Sequence, residues 1–491
     1  MARRIPALLA MLAAVAGAAA CASRRPDVAT SDYPDLAAYQ QARERLLREE
    51  RSRRLSAALV LSPEEQAADR RLAALRKAEE ARVGSYFPPA HSFLDPRTKR
   101  LIESSPLLEV MRRLPKGGIL HLHGAAGGDF RWLIARATYR PDCYVFTGDG
   151  PSPVRGTLRF FAEPPGGDWR SVAALRAQAG DASAFDEALY RSITLGEEDL
   201  GAPDIWEEFS NCFRRAWSLF DDDALAAAHW RRMLDLLVEE NVQYVEFRGW
   251  PGEAIAAEAR RRASELGVKF IPVAGRRGDR QDAKRRLEDA LAERQRDPSL
   301  VAGFDLVEEE DRSHSTLYFV DEILAARREA QRRGVSLPLY LHSGETSRAE
   351  SENLDDALLL GAQRIGHGLA LVRHPVLMEK VRERGVAIEV CPISNQVLGY
   401  VPDLRSHPAV AYINAGIPVV LAPDDPGLTR HRFSDDFYEA FMAWELDLRE
   451  LKQLALSSLE HSAMDPQEKR QALAAWQARW AAFVGWLNEK G

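Results

Sequence analysis

Leu114-Pro115-Lys116-Gly117-Gly118-Ile119-Leu120-His121-Leu122-His123 runs from a proline-glycine entry into an apolar β-like segment that ends on two histidines. Side chains two apart on a strand point to the same side, so both imidazoles can converge on one ion. Spacing alone is a weak signal, because paired histidines also occur on surfaces and in hydrogen-bonded cores. Residues further along the chain give it weight. His342, His367 and the pair Asp424-Asp425 also close short apolar runs, so six groups suited to metal or acid-base chemistry fall at strand ends.

Eight such runs can be read: Ile119 to His123, Val242 to Gly249, Lys269 to Gly275, Ala302 to Val307, Pro338 to Glu345, Arg364 to Gly368, Ala387 to Asn395 and Pro418 to Asp425. Helical stretches such as Asp321 to Arg333 and Asn353 to Gly361 separate them, which is the alternation of a (β/α)8 TIM barrel in the α/β class. The gap between the first two strands is too long for one helix, and the Pro/Gly-rich pieces within 140–200 point to an insertion after the first strand. Ahead of the barrel lies a helical N-terminal extension over residues 26–113, where Ser62-Pro63-Glu64-Glu65 starts a helix running through Leu75. Residues 114–491 are assigned to the barrel and its C-terminal helices, the last opened by Asp465-Pro466-Gln467-Glu468 before a Trp-rich run read as core.

The chain has 491 residues, 46% of them hydrophobic and 28% charged, which is ordinary globular composition and enough for a barrel-sized core. A formal net charge of −7 argues against a nucleic-acid partner. Residues 1–25 stand apart: Arg3 and Arg4 precede an apolar run and the small residues Ala18-Ala19-Ala20 before Cys21. That is an export signal, with Cys21 placed like a lipoprotein acylation site although the usual leucine three residues before it is missing. The expectation is a periplasmic or membrane-anchored lipoprotein, with plain secretion after cleavage near Ala20 as the alternative and an Ala-rich core helix as the bland one. Cys143, Cys212 and Cys391 remain, an odd number that allows at most one internal disulfide and leaves pairing of Cys143 with Cys212 open.

In a barrel, reactive groups sit where the C-terminal strand ends meet the loops. His121, His123, His342 and Asp424 form a donor set suited to one Zn2+ per chain, whose role would be to lower the pKa of a water from about 15.7 toward 7. Glu345, in His342-Ser343-Gly344-Glu345, is assigned general acid-base work, with Gly344 letting the backbone approach a planar substrate. His367, in Gly366-His367-Gly368, would orient the water and stabilise charge. Asp425 would accept a bond from the substrate or from the water. Taken singly each has a plainer reading, a buried hydrogen-bonded histidine for His367 and a turn for Asp424-Asp425-Pro426; their shared placement on different strand ends favours the site.

These residues resemble the adenosine deaminases, and within them the secreted adenosine-deaminase-related growth factor branch. The resemblance rests on the Leu114 to His123 segment, His342-Ser343-Gly344-Glu345, Arg364-Ile365-Gly366-His367-Gly368, Glu389 to Leu398, Asp424-Asp425-Pro426 and Leu451-Lys452-Gln453-Leu454-Ala455, over roughly residues 85 to 485. It implies zinc-dependent hydrolytic deamination of adenosine or a related purine nucleoside, with His121, His123, His342 and Asp424 as ligands. It further implies that Glu345 protonates the purine ring nitrogen, His367 assists the water and Asp425 hydrogen-bonds the substrate. A homodimer formed with the N-terminal helices and an insertion capping the first barrel loop are also implied. Four places depart from the family pattern. Gly124 stands where an Asp usually meets the ribose, Glu308 replaces a Gly that approaches the purine, Arg276 replaces a His in a sugar-side loop, and Ala422-Pro423 replaces a Ser-containing approach to the Asp pair. Glu308 is therefore expected to touch the substrate, and the alternative is another TIM-barrel metallohydrolase acting on a different amidine, amide or ester.

Overall fold

The computed structural model describes residues 33–148, 155–348 and 351–489, which fall into two compact units, 1–52 and 53–491. The export segment and Cys21 lie outside the described residues. In the first unit the helix Leu36–Arg53 carries most of the described chain. Among the described residues no helix is long and apolar enough to cross a membrane.

The second unit begins with helices whose starts are written in their caps. Ser62 Oγ accepts from the Glu65 amide at 3.2 Å and the Glu65 carboxylate accepts from the Ser62 amide at 2.8 Å. That reciprocal box opens Pro63–Val83, two turns longer than the sequence suggests and ended by Gly84 at φ +59°. Asp95 and Ser105 cap Pro96–Glu103 and Pro106–Arg113 by accepting from the Arg97 and Leu107 amides, each with proline in the first turn.

Strand β1 (Gly117–His123) follows, and the chain then leaves the barrel. A small antiparallel sheet of β2 (Cys143–Phe146), β3 (Leu158–Phe160) and β4 (Trp169–Ser171) is followed by helices Val172–Ala179, Ala182–Ser192 and Ile205–Ala216. The barrel resumes with β5 (Val242–Arg248), β6 (Gly267–Ile271), β7 (Val273–Gly275), β8 (Asp305–Val307), β9 (Tyr340–Ser343), β10 (Arg364–His367), β11 (Ala387–Val390) and β12 (Val419–Leu421). β6 and β7 act as one barrel strand broken at Pro272, which has no N–H to give the ladder. Parallel pairing runs β1-β5-β6, then β7-β8, then β9-β10-β11-β12, and the bridge Phe304 to Leu339 joins β8 to β9. The ring closes where Leu122 bridges to Asp424.

Three of the eight expected strands end well short. Pro418 to Asp425 stops at Leu421. Ala387 to Asn395 stops at Val390, because Pro392 starts the helix Pro392–Val397 and swings Ser394 and Asn395 out of the sheet. Pro338 to Glu345 ends at Ser343, where Gly344 at φ +77° turns the chain. Cys143, Cys212 and Cys391 are buried and free, so Cys143 and Cys212 do not pair.

The C-terminal helix Pro466–Glu489 closes the bottom of the unit with the tryptophans expected to be core. Trp476 is 1% exposed and its Nε1–H donates to the Pro115 carbonyl at 2.8 Å, while the Trp480 Nε1–H donates to Glu65 at 2.6 Å. The helix thus pins both the approach to β1 and the capped helix before it. Replacing Trp476 with Ala should cost about 3–5 kcal/mol, read as a lower urea midpoint for unfolding.

Candidate active site

His121 and His123 share one face of β1, His342 lies on β9, His367 ends β10, and Asp424 follows β12. Asp424 Oδ1 lies 3.4 Å from His121 Nε2 and 3.3 Å from His123 Nε2, and the Nε2 atoms of His123 and His342 are 3.3 Å apart. Donors bound tetrahedrally at about 2.0–2.1 Å stand about 3.3–3.4 Å from one another, so the cluster has the dimensions of one shared small cation. Hydrogen bonding agrees. His121 Nδ1 donates to Glu389 at 2.8 Å and His342 Nδ1 donates to Asp305 at 2.7 Å, which leaves the Nε2 lone pair of each ring facing the cluster. His121 Nε2 is buried without a hydrogen-bond partner. Three imidazoles and one carboxylate oxygen therefore fit a zinc-type ion.

Burial holds the rings of His123, His342 and His367 below the ordinary imidazole pKa, which keeps them neutral. Burial and Arg248 oppose charge on His121, yet the neighbouring carboxylates of Asp424 and Glu389 hold it above the usual value. A cation in the cluster would take over that proton's place.

Beneath the cluster is a layer of buried ions. Arg248 donates to Asp305 at 2.9 Å and to Glu389, and Arg364 donates to Glu389 at 2.6 Å and to Glu246. Glu389 and Asp305 thus orient one histidine each while being held in place by two guanidinium groups. Their signal in the sequence is charge in the interior of apolar strands, as in Val242-Gln243-Tyr244-Val245-Glu246-Phe247-Arg248. Such charges persist only when paired.

Glu345 stands across from the donors. Its Oε2 is 3.7 Å from His367 Nε2, and its Oε1 is buried without a partner. The loop that carries it is fixed from behind by Glu310, which accepts from the Gly344 amide at 3.0 Å and the Glu345 amide at 2.7 Å. Burial pushes the Glu345 carboxyl well above the usual carboxylate range, and the charges of Asp424 and Glu310 push the same way. Burial and Asp424 do the same to Asp425, whose Oδ1 also lacks a partner. Ser394 Oγ donates to Asp424 Oδ2 at 2.7 Å. His367 at φ +60°, Asp424 at φ +64° and Glu308 at φ +85° hold left-handed backbone without being glycine, and this strain is gathered around one centre.

His123, His342, His367, Glu345, Asp424 and Asp425 face a cavity of about 920 Å³. Trp206, Phe209, Phe213, Trp217 and Phe220 form much of its wall, a stripe at three- and four-residue spacing contributed by the segment after the small sheet. That stripe is visible in the sequence in hindsight. Gly124 lines the cavity with room for a side chain, since an added Cβ would meet nothing nearer than 3.5 Å. Glu308 also lines it, exposed, with Oε2 accepting from the Arg277 amide at 2.7 Å. Arg276 does not reach the sugar-side position expected of it. Its guanidinium is buried and donates to the His342 carbonyl at 2.7 Å and to Thr316, so it braces a metal donor, and Arg277 lines the cavity instead.

A parallel ring of strands with a His/Asp cluster at its C-terminal rim defines a barrel metallohydrolase, and comparison with known proteins narrows the class. The adenosine deaminase family profile matches residues 238–477, and the adenosine/AMP deaminase N-terminal profile matches residues 19–110. β1 and its two histidines lie between the two spans. Adenosine deaminase 2 of Sus scrofa is 35% identical over 94% of this chain and 97% of its own length. Adenosine deaminase 2 of Dictyostelium discoideum is 30% identical over 92% and 88%. Among solved structures, an Arabidopsis N6-mAMP deaminase shares the fold at a TM-score of 0.55 and 18% identity, covering 75% of this chain and 99% of its own. An amidohydrolase from Burkholderia ambifaria with bound Zn does so at 0.54 and 20%, covering 77% and 94%. The chain belongs to the adenosine deaminase family, in its growth factor branch. It is a hydrolase acting on the carbon–nitrogen bond of a purine amidine.

Glu308 occupies glycine-type backbone, so the variants Glu308→Gly and Glu308→Ala, which both lose the bond to Arg277, should differ. The glycine form should be the more stable by about 1 kcal/mol in urea unfolding.

Proposed function

We propose that this chain is an exported, zinc-dependent deaminase of adenosine or a closely related purine nucleoside, releasing the inosine-type product and ammonia. One observation carries the reading: the Glu345 carboxyl is buried, keeps an oxygen free, and shares a single cavity with His123, His342 and Asp424, with His121 Nε2 3.4 Å from Asp424 Oδ1 behind them. Zinc, when bound by those four, supplies the Lewis acidity that lets a water act as nucleophile near neutral pH.

The remaining steps belong to side chains. Glu345 gives its proton to the purine ring nitrogen, which makes the amino-bearing carbon electrophilic. His367 orients the attacking water, and Asp425 accepts a hydrogen bond from the substrate. In sum one water is consumed, the bond to the exocyclic nitrogen breaks and ammonia leaves. Glu308 and the aromatic wall meet the nucleoside, whereas Gly344, expected to lie against the ring, is not among the residues lining the cavity and packs against Leu354. The exposed Glu308 carboxylate favours a second reading within the same chemistry, a nucleoside bearing a cationic or hydrogen-bond-donating substituent. We further propose export directed by residues 1–25, with Cys21 as a lipid anchor, and a homodimer formed with the N-terminal helices.

Adenosine incubated with the purified protein should show the ultraviolet shift to inosine, and its absence overturns the reading. Side by side with adenosine, deoxyadenosine, methylthioadenosine and adenine would rank the sugar-side contacts. His123→Ala should lose metal and activity together. Glu345→Gln should keep its metal, measured by elemental analysis, while turnover falls about 100- to 10,000-fold. Full activity in that variant would remove Glu345 from its role.

A further inference from the structure

His367 is held from its other edge by two side chains given no role so far. The Ala409 amide donates to His407 Nδ1 at 3.0 Å. A backbone N–H can only donate, so His407 Nδ1 carries a lone pair and the ring proton sits on Nε2. His407 Nε2 lies 3.2 Å from Asn395 Oδ1, and Asn395 Nδ2 lies 3.2 Å from His367 Nδ1. The direction of each bond is set by the one before. Nε2–H of His407 donates to the Asn395 oxygen, the Asn395 amide nitrogen is thereby turned toward His367, and an amide nitrogen only donates. His367 Nδ1 must therefore accept.

We infer that the Ala409 amide, acting through His407 and Asn395, locks His367 as a neutral ring with its proton on Nε2, and so as a hydrogen-bond donor into the reaction centre. That Nε2 lies 3.7 Å from Glu345 Oε2 and 3.9 Å from Asp424 Oδ2, the gap in which the attacking water belongs. A ring with its acceptor nitrogen engaged and its other nitrogen protonated has no free lone pair toward the water. His367 therefore orients the nucleophile and does not take its proton. His367, Asn395 and His407 are each at most 2% exposed, and the His407 ring packs against Trp444 with centroids 5.4 Å apart, so the relay is shielded from solvent and its rings are confined. His407 and Asn395 are positioning residues, acting through His367. The inference deepens the proposed function and rests on the role given there to His367.

Nitrogen-15 NMR of the metal-loaded protein, with the His367 signals assigned from a His367→Gln variant, should show Nε2 protonated and Nδ1 bare. Protonation on Nδ1 overturns the inference. In kinetics with adenosine, His407→Leu should lower kcat about 10- to 100-fold with KM and metal content little changed, whereas His407→Gln, whose amide can still donate to Asn395, should stay within about threefold of the parent. Unchanged kcat in His407→Leu also overturns it. If the parent protein leaves adenosine untouched, the functional reading falls and the NMR result alone decides the relay.

Discussion

Closure of the barrel depends on two backbone hydrogen bonds between chain segments about three hundred residues apart. The His123 amide donates to the Asp424 carbonyl at 3.0 Å, and the Asp424 amide donates to the His121 carbonyl at 3.3 Å. A sheet of eight short strands left open here would expose two unpaired edges. The same residues that seal the ring supply three of the four proposed metal donors. Fold and site are thus one constraint: any slip in the register between β1 and β12 would turn the histidines away from the aspartate. The left-handed backbone of Asp424 is where the two demands meet, since the residue must pair with β1 and still aim its carboxylate at the cluster.

Inside the ring the chain accepts a cost that most cores avoid. Arg248, Arg364, Glu246, Asp305 and Glu389 are all buried, and removing charges from water is expensive even when they are paired. The arrangement earns its place through orientation. Glu389 and Asp305, which bond His121 and His342, are each held by a guanidinium, so these two rings are fixed in the tautomer a cation needs. Arg276 extends the same support to the His342 carbonyl. The proposed donors are preorganised by a rigid polar floor beneath them, and the Glu345 carboxyl, proposed as the acid, is held by Glu310 behind it.

The eight-strand alternation and the positions of His121, His123, His342, His367 and Asp424 were legible because strand ends, not whole strands, carry them, and their polar-after-apolar pattern survives errors in boundary. Boundaries read less well. Pro392 turned a predicted strand into a helix, and Pro272 split another, since a residue without an N–H interrupts a ladder wherever it falls. Arg276 departs from its expected place because a side chain's direction at a strand end depends on a local turn that neighbouring letters do not specify. The supporting partners Glu389, Asp305, Asn395 and His407 could not be read as such. Their roles depend on contacts between segments distant in sequence, and only an interior strand charge hints that a partner exists. The aromatic wall was hidden differently, inside an insertion whose docking onto the barrel has no local signature.

The splitting of the donor set across the chain also has a temporal side. A ribosome adding roughly 5–20 residues per second needs on the order of 15–60 s to travel from the first pair of histidines to the aspartate that completes the set. During that interval the nascent chain offers two imidazoles and no cage, a weak grip that any cellular chelator can outcompete. Loading of the proposed metal would therefore follow synthesis, and the ions available where the last strand docks would set which one enters the completed donor set.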